Sequence, residues 1–486
     1  MAPQDVLDYF FQYVQNDIPL RLIFVPDMKL VGRDAVQNLY LPSIQAITES
    51  TVEEQLSRTA DRERVVRQLV RETVKYAILS HRWLPKGEPT FQDLRDGTAA
   101  GPGRDKLSKF CDAASSRGIN FAWSDTCCID KSSSSELDEA IRSMYRWYRN
   151  ATVCIIYLAQ TTKLDDMGSD EWFERGWTLQ ELLAPSVCKF FDAGWQPLTN
   201  EPNDKDHDRV LNLLHTATGC PKAALRKFEP GPFRIDRRMT WAARRKTSRA
   251  EDMAYSLMGL FDVMLQPAYG EGAERSFCRL VEMIMQSCGN VTVLNWAGKP
   301  AASHSSAGLP SSPRCYLGHQ QTYSIRKLDL KMTSRGLQVP LVILPATLIT
   351  VNTINSSVLR AQFQLADSPL SGRIGHEHIV IDIPARSFFR NLHYSLGVFN
   401  YMPPYGNQIP GHPALRPVST AYLLSRRRIQ NNTQLVVHEG LKVQDDLRFY
   451  GWKKVPTETF VHFTLRDVKN REVMIVKKEL LEVVYL

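Results

Sequence analysis

Three short segments of this chain hold the residue types that chemistry uses. Ser80, His81, Arg82 and Trp83 follow the apolar run YAIL. Asp125, Cys128 and Asp130 follow INFAW, and Trp177 and Glu181 lie within EWFERGWTLQELLAP. A carboxylate can hold sugar hydroxyls or stabilise a developing positive charge, a guanidinium can receive a phosphate, and an indole can stack on a heteroaromatic ring. Glu181 comes one helical turn after Trp177, so the two share a face of a helix that is otherwise apolar (Leu179, Leu182, Leu183). Each residue also has a structural reading. His81 can bond a loop, Trp83 can pack, and Asp125 and Asp130 can cap turns. The vicinal Cys127–Cys128 pair has no neighbouring base to activate a thiolate and reads as small buried filler. The argument for a site is therefore one of convergence.

The elements between these segments supply that convergence. The runs YAILS (76–80), INFAWSD (119–125), ATVCIIYL (151–158) and SVCKFF (186–191) are nearly continuous in apolar residues, as strands covered on both faces must be. Between the first two, Leu107, Phe110, Cys111 and Ala114 form a helical stripe with Gly118 placed to end it. Between the next two, Leu137, Ile141, Met144 and Tyr148 form another, with serines as N-cap candidates. Alternating strands and helices with short links predict a parallel α/β sheet. In such a sheet the residues that follow each strand gather on one rim, where ligands bind. The three segments all follow strands.

The chain has 486 residues, enough for about three domains at roughly 150 residues each. The boundaries expected are an N-terminal extension over 1–75, the α/β domain over 76–200, a helical region over 201–300, a Ser/Pro/Gly-rich linker over 301–313 and a β-rich domain over 314–486. The extension contains the strand-like PLRLIFV and a charged stretch over 49–75 that reads as a solvated helix. In the helical region, Ser248 and Glu251 have capping-box spacing, and Phe277, Leu280, Val281 and Ile284 mark a later helix. The last region carries β-branched runs (LQVPLVIL, HEHIVIDI, QLVVHE, ETFVHFTL, EVMIVKK) and predicts an all-β sandwich. A net charge of +8 over this length is too mild to demand an acidic partner. The N-terminus lacks the basic lead and apolar core of a secretory signal, and no run approaches the roughly 20 apolar residues of a membrane span. Nine cysteines with no CxxC argue against a disulfide scaffold or a zinc ribbon. A cytoplasmic location is expected, and no metal or resident cofactor.

YAILSHRW, WSDTCCIDKSSSSELDEAIRSMYRWYRNA and WFERGWTLQELLAP, in this order and spacing, strongly resemble the HET (heterokaryon incompatibility) domain of filamentous fungi. The likeness continues over 237–285, a type of segment that commonly follows HET domains, and MTSRGLQVPLVILP (332–345) looks like the start of the accompanying C-terminal region. HET domains are in turn considered remote relatives of TIR domains, so the resemblance implies a TIR/flavodoxin-like sheet with flanking helices. GWTLQEL is similar to the TIR pattern Trp-Cys-x-x-Glu-Leu, which puts Trp177 and Glu181 on its Trp and Glu, with Thr178 in place of its Cys. In TIR domains that cleave NAD that glutamate is catalytic.

The resemblance thus implies a role in non-self recognition and cell death, with NAD as substrate. Glu181 would be the catalytic carboxylate, and Ser80, His81, Arg82, Trp83, Asp125, Cys128, Asp130 and Trp177 the substrate-binding residues. Implied partners are further copies of the chain or another incompatibility or immune-receptor protein. The competing class is a non-enzymatic signalling module that works by assembly, in which the rim residues maintain the fold. Nucleic-acid binding ranks third. It would rest on Arg237, Arg238, Arg244, Arg245, Lys246 and Arg249 and on the Arg426–Arg428 cluster, without a recognised motif or an aromatic-studded groove. The segment TSRAEDMAYSLMGLFDV could clamp the rim or simply be a structural helix with Arg249, Glu251 and Asp252 in ion pairs, and the second is expected.

Overall fold

The computed structural model describes residues 2–57, 61–304, 306–318, 327–365, 378–390, 392–402, 413–415, 418–426, 453–458, 460–464, 474–476 and 478–486. The run QLVVHE and residues Arg427 and Arg428 lie outside the described residues. The chain divides into two compact units. The first comprises 1–231 and 244–269, the second 232–243 and 270–486.

The first unit is built on a six-stranded sheet: β1 (Arg21–Phe24), β2 (Lys29–Gly32), β3 (Ala77–His81), β4 (Phe121–Trp123), β5 (Val153–Tyr157) and β6 (Cys188–Phe191), in the spatial order β2-β1-β4-β3-β5-β6. The four strands expected to be parallel are so. β3 pairs with β4 and β5, and β5 with β6. Every residue of β3, β4 and β6 is buried, which is why these strands read as unbroken apolar runs. PLRLIFV supplies β1, but the sheet also gains β2. The two form a hairpin that adds antiparallel to β4 through Ile23 and Phe24.

Helices α1 (Gln4–Asn16), α2 (Arg33–Gln45), α3 (Glu49–Leu56) and α4 (Arg62–Thr73) complete the N-terminal part. The stretch 49–75 is therefore not one solvated helix. α4 buries Val65, Val66, Leu69 and Val70, an i, i+1, i+4, i+5 stripe hidden among its arginines. Next come α5 (Phe91–Arg95), α6 (Pro102–Ser115), α7 (Ser134–Asn150) and α8 (Thr178–Leu183). α6 buries the expected Leu107, Phe110, Cys111 and Ala114, and Gly118 takes a left-handed φ of 68° just beyond its end. α7 buries Ile141, Met144 and Tyr148, and Ser133 caps it by accepting from the Glu136 N–H. Trp123, Trp147 and Tyr148 meet edge-on in the core between β4 and α7.

The helical region over 201–300 is divided between the units. α9 (Asp208–Thr218) and α10 (Lys222–Arg226) belong to the first, α11 (Ile235–Ala242) to the second, and α12 (Asp252–Tyr255) and α13 (Met258–Phe261) again to the first. The single capped helix expected after Ser248 is instead these two short turns. Glu251 at the N-cap is already helical and makes no side-chain cap bond. α13 lies close against α7: a Cβ on Gly259 would come within 2.2 Å of the Tyr145 ring.

In the second unit, α14 (Ala273–Cys288) buries the expected Phe277, Leu280, Val281 and Ile284. The stretch expected as a linker, 301–313, is packed within this unit, with Ala301, Ser306 and Leu309 buried and the Ala301 N–H bonded to the Leu309 carbonyl. Among the described residues the β-rich part does not form a two-sheet sandwich. It is one nine-stranded antiparallel sheet comprising β7 (Lys331–Thr333), β8 (Gly336–Thr353), β9 (Val358–Leu365), β10 (Ile379–Pro384), β11 (His393–Val398), β13 (Val418–Arg426), β14 (Lys453–Lys454), β15 (Val461–Thr464) and β17 (Leu481–Tyr485). β12 (Ala414–Leu415) and β16 (Met474–Ile475) pair separately. Along the 18-residue β8, β7 and β17 pair near its start, β11 at its middle and β9 over its second half, where the strand is bulged between Leu348 and Thr350. Among the described residues no helix is long and apolar enough to cross a membrane.

Gly259→Ala tests the close approach of α13 to α7. Overpacking there should cost about 1–3 kcal/mol and lower the thermal midpoint of the first unit by several degrees in a calorimetric melt.

Candidate functional site

At the carboxyl ends of β3, β4 and β5 the first unit opens into a cavity of about 600 Å³. Strand order reverses at β3, since the chain passes to β4 on one side and then to β5 on the other, and this is where an open α/β sheet leaves a crevice. The turn after β3 contributes Arg82 and Trp83, and the loop after β4 contributes Asp125 and Lys131. The segment after β5 contributes Glu171, Glu174, Arg175, Trp177 and Glu181.

Glu181 sits at the base of this cavity and is only 6% exposed. Its position is set by a chain of hydrogen bonds. The Trp172 indole, a donor only, gives its N–H to Ser80 Oγ at 2.9 Å. The Ser80 hydroxyl gives its proton to Glu181 Oε2, at 2.5 Å. Burial pushes the Glu181 carboxyl up to about 7, and the negative charge of Asp125 adds to the rise. The Ser80 bond and the charges of Arg175 and Arg245 act the other way.

The next residue of β3 points to the opposite face of the sheet. There His81 Nε2 meets Asp125 Oδ1 at 3.3 Å, while the Trp83 indole donates to Asp125 Oδ2 at 2.9 Å. Burial alone would raise the Asp125 carboxyl, but the His81 bond and the charges of Lys131 and Arg175 prevail and hold it well below the carboxylate range. Burial and the nearby Lys106 depress the His81 imidazole. The state consistent with both is a neutral His81 donating to an ionised Asp125. Glu88, ion-paired with Lys106, approaches Nδ1 only to 4.0 Å.

The remaining wall comes from outside the three segments. Lys246, Thr247, Ser248, Arg249, Asp252 and Tyr269 line the cavity. Their strand-like run is stitched to the segment before α8, for the Gly176 N–H donates to the Lys246 carbonyl at 2.8 Å and the Lys246 N–H to the Glu174 carbonyl at 2.6 Å. Gly176 is required there, since a Cβ would lie 2.4 Å from the Thr247 methyl. Buried Arg245 locks the junction by donating to the Arg175 carbonyl (2.7 Å) and to Thr178 Oγ1 (2.8 Å). Asp252 accepts from the Tyr269 hydroxyl at 2.8 Å and from the Trp177 side chain, and burial raises its carboxyl. Several cations on the wall have partners: Arg82 with Glu171, Lys246 with Glu174, Lys131 4.0 Å from the centroid of the Trp83 ring, and Arg249 4.1 Å from that of Tyr269.

Of the residues singled out in the sequence, Arg82, Trp83, Asp125, Trp177 and Glu181 line the cavity. Ser80 and His81 lie behind it and hold Glu181 and Asp125 in place. Cys128 does not reach it. The thiol is buried against the Ser124 N–H, and burial pushes it well above its usual value. Asp130 does not line it either, being spent on the Ser132 N–H (3.0 Å) and hydroxyl (2.5 Å) in the turn before α7. The basic run 237–249 is no continuous phosphate-facing surface, because Arg238 and Arg245 are buried and the run is split between the units. The segment TSRAEDMAYSLMGLFDV, expected as a structural helix rather than a clamp over the rim, supplies Thr247, Ser248, Arg249 and Asp252 to the cavity wall, and nothing in its spacing tied it to 171–177.

The sequence model of the family described as Heterokaryon incompatibility protein (HET) matches residues 76–169. Over 222 residues the chain is 45% identical to the vegetative incompatibility protein HET-E-1 of Podospora anserina. That match takes in 43% of this chain and 16% of that protein's length, so the chain spans under a fifth of the relative. No solved structure matches the chain significantly.

The raised Glu181 carboxyl has a thermodynamic signature. Below about pH 4.5 it is protonated in folded and unfolded chains alike. Between there and about 7 only the folded chain keeps the proton, so stability falls as pH rises, by on the order of 3 kcal/mol in all, and is flat above. Glu181→Gln removes this loss. Its thermal midpoint should match that of the wild type near pH 4.5 and exceed it at pH 8. Equal midpoints at both would show that the carboxyl is not shifted.

Proposed function

We propose that this chain, which carries a heterokaryon incompatibility (HET) domain, binds NAD in the cavity of its first unit and cleaves the nicotinamide–ribose bond with Glu181 as the catalytic carboxylate. The observation that carries this reading is the Trp172–Ser80–Glu181 chain, which holds a buried carboxylate at the base of a cavity of dinucleotide size. Two further features support it. The four parallel strands follow the order 2-1-3-4 of a flavodoxin-like sheet, and GWTLQEL is similar to the TIR pattern whose glutamate is catalytic.

In this mechanism the C1′–N bond breaks with its electron pair leaving on nicotinamide, and a ribosyl oxocarbenium cation remains. Ionised Glu181 stabilises that charge and holds the ribose hydroxyls, as carboxylates do in glycoside hydrolysis. Water then adds to C1′, and its proton passes to Glu181, whose value of about 7 suits a base at neutral pH. Arg82, Lys131 and Arg175 receive the diphosphate, in exchange for or beside their present partners. Because Lys131 and Arg175 already sit by the Trp83 ring, Trp177 is the ring left for stacking. In the cell this makes the chain a cytoplasmic component of non-self recognition and programmed cell death, in keeping with the name of its Podospora anserina relative. It would act with further copies of itself or with another incompatibility protein.

A second reading, a non-enzymatic module that signals by assembly, is favoured by one observation: Arg82 and Lys246 are already ion-paired on the rim, as in a wall kept for stability. The two readings separate in one assay. Purified protein, as isolated and forcibly oligomerised, is incubated with NAD, and nicotinamide and ADP-ribose are measured. Turnover should appear, rise with pH through about 7 as Glu181 ionises, and fall by about 100-fold or more in Glu181→Gln. Absence of product in both states would leave the assembly module. Trp177→Ala should raise KM more than it lowers kcat.

A further inference from the structure

The second unit holds a cavity of about 610 Å³ whose lining is basic. It lies where β13 and β14 run out beside the segment 386–392, and Arg386, Arg426 and Lys453 stand around it with the hydroxyls of Ser387 and Ser425. Among the described residues no aspartate or glutamate lines it. Glu482 is felt by Arg426 but is not part of the wall. Lys454 contributes its stem, its ammonium being turned onto the rings of Trp296 and Tyr422.

The walls are built rather than accidental. The Tyr394 hydroxyl accepts from the Phe389 N–H (3.2 Å) and donates to the Phe389 carbonyl (2.7 Å), so β11 fixes the segment that carries Arg386 and Phe389. The Val455 N–H bonds the Leu423 carbonyl at 2.8 Å and fixes the strand that carries Lys453. The Phe389 ring stands half exposed at the rim. Three cations and two hydroxyls around one hollow are the donor set that phosphates take, and an exposed aromatic ring at its rim is what a base takes.

We propose that this cavity binds a nucleoside triphosphate, with its phosphates against Arg386, Arg426 and Lys453 and its base over Phe389. The site is separate from the cavity of the first unit and does not rest on the NAD reading. It makes the β-rich unit a ligand-sensing part of the chain.

Calorimetric titration of the full chain with ATP and with inorganic triphosphate tests this. Both should bind, more weakly at about 200 mM than at about 50 mM salt. Arg386 and Lys453 are exposed, so Arg386→Ala combined with Lys453→Ala should leave the melting curve in place while weakening both ligands about 10- to 100-fold. Phe389→Ala should weaken ATP several-fold and leave inorganic triphosphate unchanged. Unaltered ATP affinity in the double variant would place the nucleotide elsewhere and overturn the proposal. So would equal loss of both ligands in Phe389→Ala, or binding to phosphoinositide-containing vesicles with no competition from ATP.

Discussion

A hydroxyl at the end of a buried strand holds the buried carboxylate of the first unit in place. Ser80 accepts from an indole that can only donate and gives its own proton to Glu181, so one side chain joins β3, the turn before α8 and α8 itself. The arrangement is tolerable because nothing in it is left over. The indole is satisfied, the hydroxyl is satisfied in both roles, and one carboxyl oxygen is fixed. The other is left for the cavity. A glutamate on a flexible loop would gain none of this, and without the hydroxyl the carboxyl would lose its hydrogen-bond donor in a place where water is scarce.

The strand's period of two explains why two adjacent residues serve two ends of the site. Ser80 faces α8, so it meets Glu181. His81 faces the other side of the sheet, so it meets Asp125 together with Glu88 and Lys106. Arg82 and Trp83 follow where the strand has ended, and their side chains turn over the rim into the cavity. The four-residue stretch after YAIL is thus two buried supports followed by two cavity residues. That order follows from pleat geometry and from the strand ending at His81.

The parallel strands were legible because burial on both faces writes itself as unbroken apolar sequence. The stripes of α6, α7 and α14 were legible because their period is helical. The second strand of the N-terminal hairpin, KLVG, was not, since it is half covered at the edge of the sheet and neither alternates nor runs apolar. Convergence of the three motifs followed from parallel topology, but the fourth wall did not. Lys246 and its partner Glu174 lie 72 positions apart and meet only through the bridge that Arg245 anchors, and a buried arginine in a charged run looks like a solvated one. Cys128 and Asp130 were drawn in by their position after β4. Their own neighbours, the Ser124 amide and Ser132, hold them to the turn instead. In the second unit the β-branched runs announced strands, but sequence periodicity does not measure whether strands fold into two sheets or one.

Two buried carboxylates that line the site, Asp125 and Glu181, are driven in opposite directions. Asp125 has donors on both oxygens and cations nearby, so it stays charged. Glu181 has one hydroxyl, little water and the charge of Asp125 close by, so it is pushed towards neutrality. The two are linked: the charge on Asp125 makes ionisation of Glu181 costlier. Where two titratable groups are held apart in this way, their roles are also separated. Asp125 is fixed as an electrostatic support that positions Trp83 and the cations around it. Glu181, pushed up to about 7, is a group of this cavity that can change protonation near neutral pH.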